Sequence, residues 1–318
     1  MNLVPTIDLT AARTGNRQDK ERTAAEIAKA CEEIGFMIIT GHGVNSQVIA
    51  NVYKSMNQFF KLPIKDKERL IGTGKSSSYD RNGYVKLLSE NTYAGKGIQG
   101  MPNDCSEAFN MNTDVLHDDA NLPFPVGDFG KEFKLSLKLY LEACMGFSKT
   151  LAELIEISVA LPKGFFEKIF HQSHDYMRLI RYPGFENTLP HKQGLGEHTD
   201  GGLFTLISCI GGSGLEIKTR QGNWISVKTE NMNQFCVNIG DSMMRLSNDK
   251  WISTEHRVTL SSELRQSIAF FKTLNDDVIV KPLPEFCKTA PAKYKPVLFG
   301  NFQKSSVHSG GDCLNSDS

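Results

Sequence analysis

Between residues 177 and 273 the chain is a succession of short apolar runs broken by glycine-rich turns, and this pattern narrows its fold most. Residues 177–182 read as a strand with Ile180 and Tyr182 on one face and Leu179 and Arg181 on the other. A segment holding His198, Asp200 and Leu203-Phe204-Thr205-Leu206-Ile207 follows, then the turn Gly211-Gly212-Ser213-Gly214. Residues 215–217 and 224–227 form a hairpin through Arg220-Gln221-Gly222-Asn223. Residues 235–239, 251–254 leading to His256 and Arg257, and 266–273 supply further strands. Many short strands with turn signals predict a jelly roll, the double-stranded β-helix of cupin-like proteins, whose two sheets enclose a cavity.

The preceding half is more helical, so the fold class is α+β with a mainly β core. Residues 4–9 read as an entry strand. Ile27, Ala30, Cys31 and Ile34 fall at helical spacing and stop at Gly35. Residues 36–40 are a strand, Gly41-His42-Gly43 a turn, and 46–60 a helix stopped by Pro63. Residues 71–125 are rich in Gly, Ser and Asn, with little periodicity, and are where substrate-determining loops are expected. A long helix runs over 129–161, with a bend expected near Gly146, and braces the outside of the sheet; 165–170 add a short helical piece. The organisation is thus an N-terminal region of helices and short strands (1–125), the long helix and a connector (126–171), a jelly roll (172–303) and a polar tail (304–318) whose end is expected to be disordered.

Within the strand-rich part, His198 and Asp200 stand two residues apart, so on a strand they project from one face. A nitrogen from His256 completes a two-histidine, one-carboxylate triad, a set that suits non-haem Fe(II) and leaves coordination positions open. Nine positions beyond His256, Arg265 and Ser267 again share a face. A guanidinium pairs a carboxylate through a planar fork and a serine hydroxyl adds a donor, so this pair looks like an anchor for the far carboxylate of a chelating 2-oxo acid.

Taken together, His198-Thr199-Asp200, Asn238-Ile239-Gly240-Asp241, Ser247-Asn248, His256-Arg257-Val258 and Arg265-Gln266-Ser267 resemble the iron- and 2-oxoglutarate-dependent dioxygenases of the isopenicillin N synthase-like superfamily. Gly35-Phe36, Gly41-His42-Gly43 and Phe59-Phe60 extend the likeness to the N-terminus. The resemblance implies His198, Asp200 and His256 as iron ligands, and Arg265, Ser267 and Tyr182 around the distal carboxylate of 2-oxoglutarate. It implies Fe(II), 2-oxoglutarate and O2 as cofactors, with ascorbate as a stimulant. The expected reaction is hydroxylation, desaturation or oxidative ring closure of a small specialised-metabolite or amino-acid-derived substrate, releasing succinate and CO2. An oxidase of the isopenicillin N synthase type, which uses the same triad without 2-oxoglutarate, is the nearest alternative. A zinc hydrolase is a more distant one, since it has no need of Arg265 and Ser267.

Other polar residues carry blander readings. His42 reads as a turn or packing histidine, His171 and His174 as loop residues, and Asp241 as a turn aspartate capping local backbone. Glu197 should point away from the metal pocket, Arg181 should form a surface ion pair, and Asn238 and Phe271 should line the cavity.

Composition excludes several classes. Lys+Arg and Asp+Glu are both 36, which favours neither nucleic acid nor an acidic membrane surface. No apolar run approaches the roughly 18 residues needed to cross a bilayer, and the first residues lack the pattern of a signal peptide. The seven cysteines, without CxxC pairs, read as reduced core residues. The expectation is a cytoplasmic monomer acting on a small molecule.

Overall fold

The computed structural model describes residues 4–72, 82–116, 123–185 and 189–308. Its strands are β1 (Thr6–Asp8), β2 (Phe36–Thr40), β3 (Gly83–Val85), β4 (Glu107–Asn112), β5 (Tyr176–Tyr182), β6 (Gln193–His198) and β7 (Phe204–Gly211). They continue as β8 (Leu215–Lys218), β9 (Trp224–Ser226), β10 (Phe235–Ile239), β11 (His256–Thr259), β12 (Arg265–Lys272), β13 (Ile279–Val280) and β14 (Val297–Leu298). The helices are α1 (Thr10–Thr14), α2 (Arg17–Glu33), α3 (Ser46–Phe60), α4 (Ile64–Glu68), α5 (Thr92–Gly95), α6 (Gly127–Ser158), α7 (Phe165–Phe170), α8 (Asp241–Leu246) and α9 (Phe299–His308).

Eight strands form one sheet in the order β1-β2-β10-β7-β12-β5-β4-β3, and four form a smaller one in the order β6-β11-β8-β9. All pairings in the two sheets are antiparallel except β1 with β2. Strand alternation gives the large sheet two apolar faces. Ile180, Ile207, Cys236 and Ala269 pack towards Leu215, Ile217 and Val258 of the small sheet, so the two sheets face each other. Leu179, Leu206, Val237 and Ile268 point the other way and pack with the helices.

The helices form where local signals allow. Asn16 and Asp19 make a reciprocal capping box at the start of α2, which satisfies otherwise orphaned N–H groups. Gly35 ends the helix at φ +67°, where a side chain would collide with the Ile252 carbonyl. Helix α6 runs for 32 residues through Gly146 without a break. Phe133, Leu137, Tyr140, Cys144, Phe147 and Leu151 make its buried stripe at spacings of three and four. Tyr140 of α6 and Tyr53 of α3 both reach the Ser208 hydroxyl on β7, at 2.8 and 2.9 Å. The bracing helix is thereby tied to the back of the sheet.

Two expectations are corrected. Residues 251–254 are not a strand: Asn248 and Asp249 turn the chain in left-handed conformations after α8. The segment then bonds across to the end of α2, through Ile252 N–H to Cys31 O (3.0 Å) and the Thr254 hydroxyl to Ile34 O (2.6 Å). Trp251 is drawn into the helix-side core, edge-on to Phe286. Second, the boundary drawn at 303/304 falls inside α9, which Phe299 and Phe302 anchor by burial; residues 309–318 of the expected tail lie outside the described residues. Strands β1 to β4 of the N-terminal region extend the jelly roll's large sheet at both edges. Of the weakly periodic 71–125 stretch, 73–81 and 117–122 lie outside the described residues, and the rest includes β3, α5 and β4.

One buried carboxylate ties the first edge helix to that sheet. Glu107 on β4 accepts from Lys67 Nζ of α4 (2.7 Å), the Tyr84 hydroxyl of β3 (2.6 Å) and Arg181 Nη1 of β5 (3.0 Å). Removing one partner of such a pair leaves an uncompensated charge. Glu107→Gln is therefore expected to lower unfolding free energy by about 3 kcal/mol. A urea titration whose midpoint matched the parent protein would show that the Lys67 ammonium is solvated instead.

Candidate metal centre

His198 closes β6 and His256 opens β11, and the two are direct partners across that antiparallel pair. Cross-strand pairing thus does what proximity along the chain could not: it sets the two imidazoles 4.2 Å apart between ring centroids. Asp200 lies two residues past the end of β6, in the turn to β7, so strand alternation is not what aims it. Its aim comes from the large sheet. Thr205 of β7 and Asn238 of β10 both donate to Asp200 Oδ2, at 2.5 and 2.8 Å. The other oxygen, Oδ1, faces His198 Nε2 at 3.7 Å and His256 Nε2 at 3.8 Å.

The histidines are oriented by backbone carbonyls. His198 Nδ1 donates to Gly196 O (2.8 Å) and His256 Nδ1 to Thr254 O (3.1 Å). A carbonyl can only accept, so Nδ1 carries the proton and the Nε2 lone pair is directed at Asp200 Oδ1. Phe36 packs edge-on against His256 and restricts its ring. Burial, reinforced by the neighbouring His256, holds His198 well below the ordinary imidazole range, which keeps it neutral. For Asp200 burial alone acts to raise the carboxyl, but the two histidines and the bonds from Thr205 and Asn238 outweigh it, so the group is held as carboxylate.

The donor set is therefore two imidazole nitrogens and one carboxylate oxygen, within 4.8 Å of one another. Among the described residues it is the one cluster of three or more such groups able to hold a metal ion. Its chemistry matches an open-sided ferrous site.

The second predicted group also converges. Arg265 and Ser267 share the inner face of β12, and Arg265 Nη1 donates to Ser267 Oγ at 3.2 Å. Tyr182 is the cross-strand partner of Arg265 on β5, its ring centroid 5.0 Å from the guanidinium carbon. All three are buried. The contacts of that guanidinium among the described residues are the hydroxyl and the ring, and no carboxylate is among them.

His42 is buried, bonded through Nε2 to Asn233 O and packed against Phe147 and Phe235. His171 reaches Lys168 O and His174 lies 3.8 Å from Asp276, and neither belongs to a metal-holding cluster among the described residues. Glu197 points away from the triad to Lys218 (2.9 Å), and Arg181 pairs with Glu107. Asp241 does not cap backbone with its side chain; it accepts from the Thr199 hydroxyl (3.1 Å), and burial pushes its carboxyl up to about 6. Asn238 does more than line the cavity, since it grips Asp200. Thr205 went unnoticed in the sequence; its position opening β7, just after the His198/Asp200 pair, was the available signal.

The comparisons with known proteins agree with this geometry. Residues 4–125 match the family model for the N-terminal region of the non-haem dioxygenase in morphine synthesis, and residues 173–274 match that of the 2OG-Fe(II) oxygenase superfamily. A homoarginine-6-hydroxylase of Arabidopsis thaliana is 33% identical over 282 residues, covering 83% of this chain and 80% of the relative. A 2-oxoglutarate-dependent dioxygenase of Talaromyces stipitatus is 28% identical over 298 residues, covering 88% and 89%. Among solved structures, a full-length Neurospora crassa protein in complex with α-ketoglutarate and thymine superposes with a TM-score of 0.83 at 23% identity, over 96% of both chains; it shares the fold.

Because Thr205 and Asn238 hold the carboxylate oxygen that faces away from the histidines, Thr205→Val and Asn238→Leu are each expected to weaken divalent-metal binding by about 10- to 100-fold. Calorimetric titration under anaerobic conditions measures this. Undiminished affinity in both variants would show that Asp200 is held by other means.

Proposed function

The chain belongs to the 2OG-Fe(II) oxygenase superfamily, and from that premise we propose which residues carry the reaction. The protein is an Fe(II)- and 2-oxoglutarate-dependent dioxygenase that oxidises a small organic substrate. The 2-oxoglutarate-independent oxidase reading is not favoured, since relatives matching across most of the chain are named for hydroxylase or 2-oxoglutarate-dependent chemistry.

In our reading His198, Asp200 and His256 hold the ferrous ion through Nε2, Oδ1 and Nε2. The support is the tautomer-fixing bonds and the free inward oxygen. Bound iron, with 2-oxoglutarate and O2, supplies the oxidising power for C–H cleavage, coupled to release of succinate and CO2. The protein's part is to bind, orient and exclude water. Arg265, Ser267 and Tyr182 hold the distal carboxylate of 2-oxoglutarate. The observation that carries this assignment is a buried guanidinium whose partners include no carboxylate: a buried cation needs a counter-charge, and a dicarboxylic cosubstrate brings one. The apolar side chains between the sheets keep this space dry, which strengthens the charged contact.

For the substrate we favour a specialised metabolite or amino-acid derivative, undergoing hydroxylation before desaturation or ring closure. This draws on the relative named as a homoarginine hydroxylase. We read the balanced charge as fitting a cytoplasmic monomer that needs no nucleic acid. Among the described residues no helix is long and apolar enough to cross a membrane.

Arg265→Lys keeps the charge but loses the planar fork, so the dissociation constant for 2-oxoglutarate is expected to rise on the order of 10- to 100-fold, the worth of a charge-assisted hydrogen bond. Unchanged cosubstrate affinity would show the anchor misassigned. Stripping metal with a chelator should abolish succinate formation, and Fe(II) but not Zn(II) should restore it. Restoration by zinc would sink the redox assignment.

A further inference from the structure

The inner face of the large sheet carries a second polar group that neither iron nor 2-oxoglutarate uses. Register lays this face out in rows. One row runs through Asn238, Thr205, Phe271 and Tyr176; the next runs through Cys236, Ile207, Ala269, Arg178 and Asn110; Arg265 and Tyr182 stand two rows further on. Arg178 is therefore two strands and one row from Thr205, about 12 Å between Cα atoms from the strand spacing and rise. It flanks the same space between the sheets, in a row between the one that supports Asp200 and those of the cosubstrate anchor.

Arg178 Nη2 donates to Glu90 Oε2 at 2.5 Å, in a pair whose side chains are only 16% and 24% exposed. Glu90 lies just ahead of α5, whose Thr92 and Tyr93 close over Gly196 beside the metal ligand His198. Two buried atoms here lack hydrogen-bond partners: Arg178 Nε and, directly across the strand pair, Asn110 Oδ1. Asn110 is 3% exposed. Buried polar atoms are nearly always paired, so a donor and an acceptor left open on neighbouring strands of the inner face call for a ligand offering the complement. The contrast with Arg265 decides the charge. Glu90 already balances Arg178, so this wall suits a neutral or zwitterionic group and not a net anion. Tyr176 and Phe271, stacked with centroids 4.2 Å apart, form an apolar flank in the next row.

We propose that Arg178, Glu90 and Asn110 recognise the substrate, and that the substrate carries an N–H or ammonium donor next to a carbonyl or carboxylate acceptor, as an α-amino acid or a cyclic amide does. Its carbon framework packs along Phe271 and Tyr176, towards the row that supports Asp200. The proposal rests on the dioxygenase reading, which identifies the space between the sheets as the reaction chamber.

The experiment is calorimetric titration of the anaerobic holoenzyme, loaded with Fe(II) and 2-oxoglutarate, against four probes. L-Homoarginine represents the amino-acid head and thymine the cyclic amide; hexanoic acid and 3-phenylpropanoic acid lack nitrogen. At least one nitrogen-bearing probe should bind more tightly than both acids. Its dissociation constant should rise at least tenfold in Asn110→Leu and in the double variant Glu90→Gln/Arg178→Gln, which leaves no lone buried charge and so keeps the fold testable by thermal melting. Binding of L-homoarginine with these losses identifies an amino-acid head, and binding of thymine a cyclic amide. The proposal is overturned if neither nitrogen-bearing probe binds, if an acid binds as tightly, or if both variants stay within tenfold of the parent. Titration of 2-oxoglutarate in the parent protein separates the two readings: failure there sinks the cosubstrate anchor, whereas success there with no probe binding sinks this inference alone.

Discussion

The register between β6 and β11 is the constraint on which the site depends. It sets His198 opposite His256, and the side-chain period of two means that a slip of one residue would turn one imidazole to the outer face. Irregular pairing just past His256 marks bulges, which re-aim side chains next to functional sites. The outer face of the same strands reinforces the alignment. Lys218 of β8 bonds both Glu197 and Glu255, the residues that precede the two histidines, at 2.9 and 2.8 Å. A third of that lysine remains exposed, so the clamp adds little stability, yet its two arms agree with only one register.

The small sheet supplies both imidazoles, while the large sheet orients the carboxylate through Thr205 and Asn238 and carries Arg265 and Ser267. Neither sheet holds a complete site. The packing of Leu215, Ile217 and Val258 against Ile180, Ile207 and Ala269 is therefore part of the catalytic geometry as well as of the core. Behind the large sheet, the Tyr53 and Tyr140 bonds to Ser208 transmit the rigidity of α3 and α6 to β7, the strand that starts beside Asp200.

What the sequence made legible follows from range. Helices with local signals were readable: Ser46 to Phe60 is bounded by a capping asparagine and by Pro63. Arg265 and Ser267 were rightly placed on one face because β12 contains both. For His198 and Asp200 the same reasoning named the right neighbours for an incomplete reason, since the strand stops at His198 and long-range bonds orient the aspartate. Residues 251–254 look strand-like by composition, but their hydrogen bonds go to α2, more than 200 positions away, which no local pattern encodes. Helix α9 was hidden in the same way: its polar sequence gives little helical signal, and burial of Phe299 and Phe302 against distant segments supplies what local propensity does not.

Buried charge draws these observations together. Lys67, Lys272 and Arg178 are each deep in the fold, and each meets a carboxylate within 2.5–2.7 Å, from Glu107, Asp175 and Glu90. Arg265 is equally deep, and its contacts are a hydroxyl and a ring. Desolvating a cation without a counter-charge is unfavourable, so the apo fold holds this residue at a disadvantage that the rest of the core must offset. In the proposed site a dicarboxylic cosubstrate relieves the disadvantage only in the folded state, where the guanidinium, the hydroxyl and the His-Asp-His cluster are already assembled. Binding then stabilises the fold by mass action, by about 2.7 kcal/mol when the ligand stands at a hundred times its dissociation constant. Under the proposed assignment the electrostatic defect at Arg265 is the recognition element itself: pairing it internally would stabilise the empty protein and abolish the proposed hold on 2-oxoglutarate.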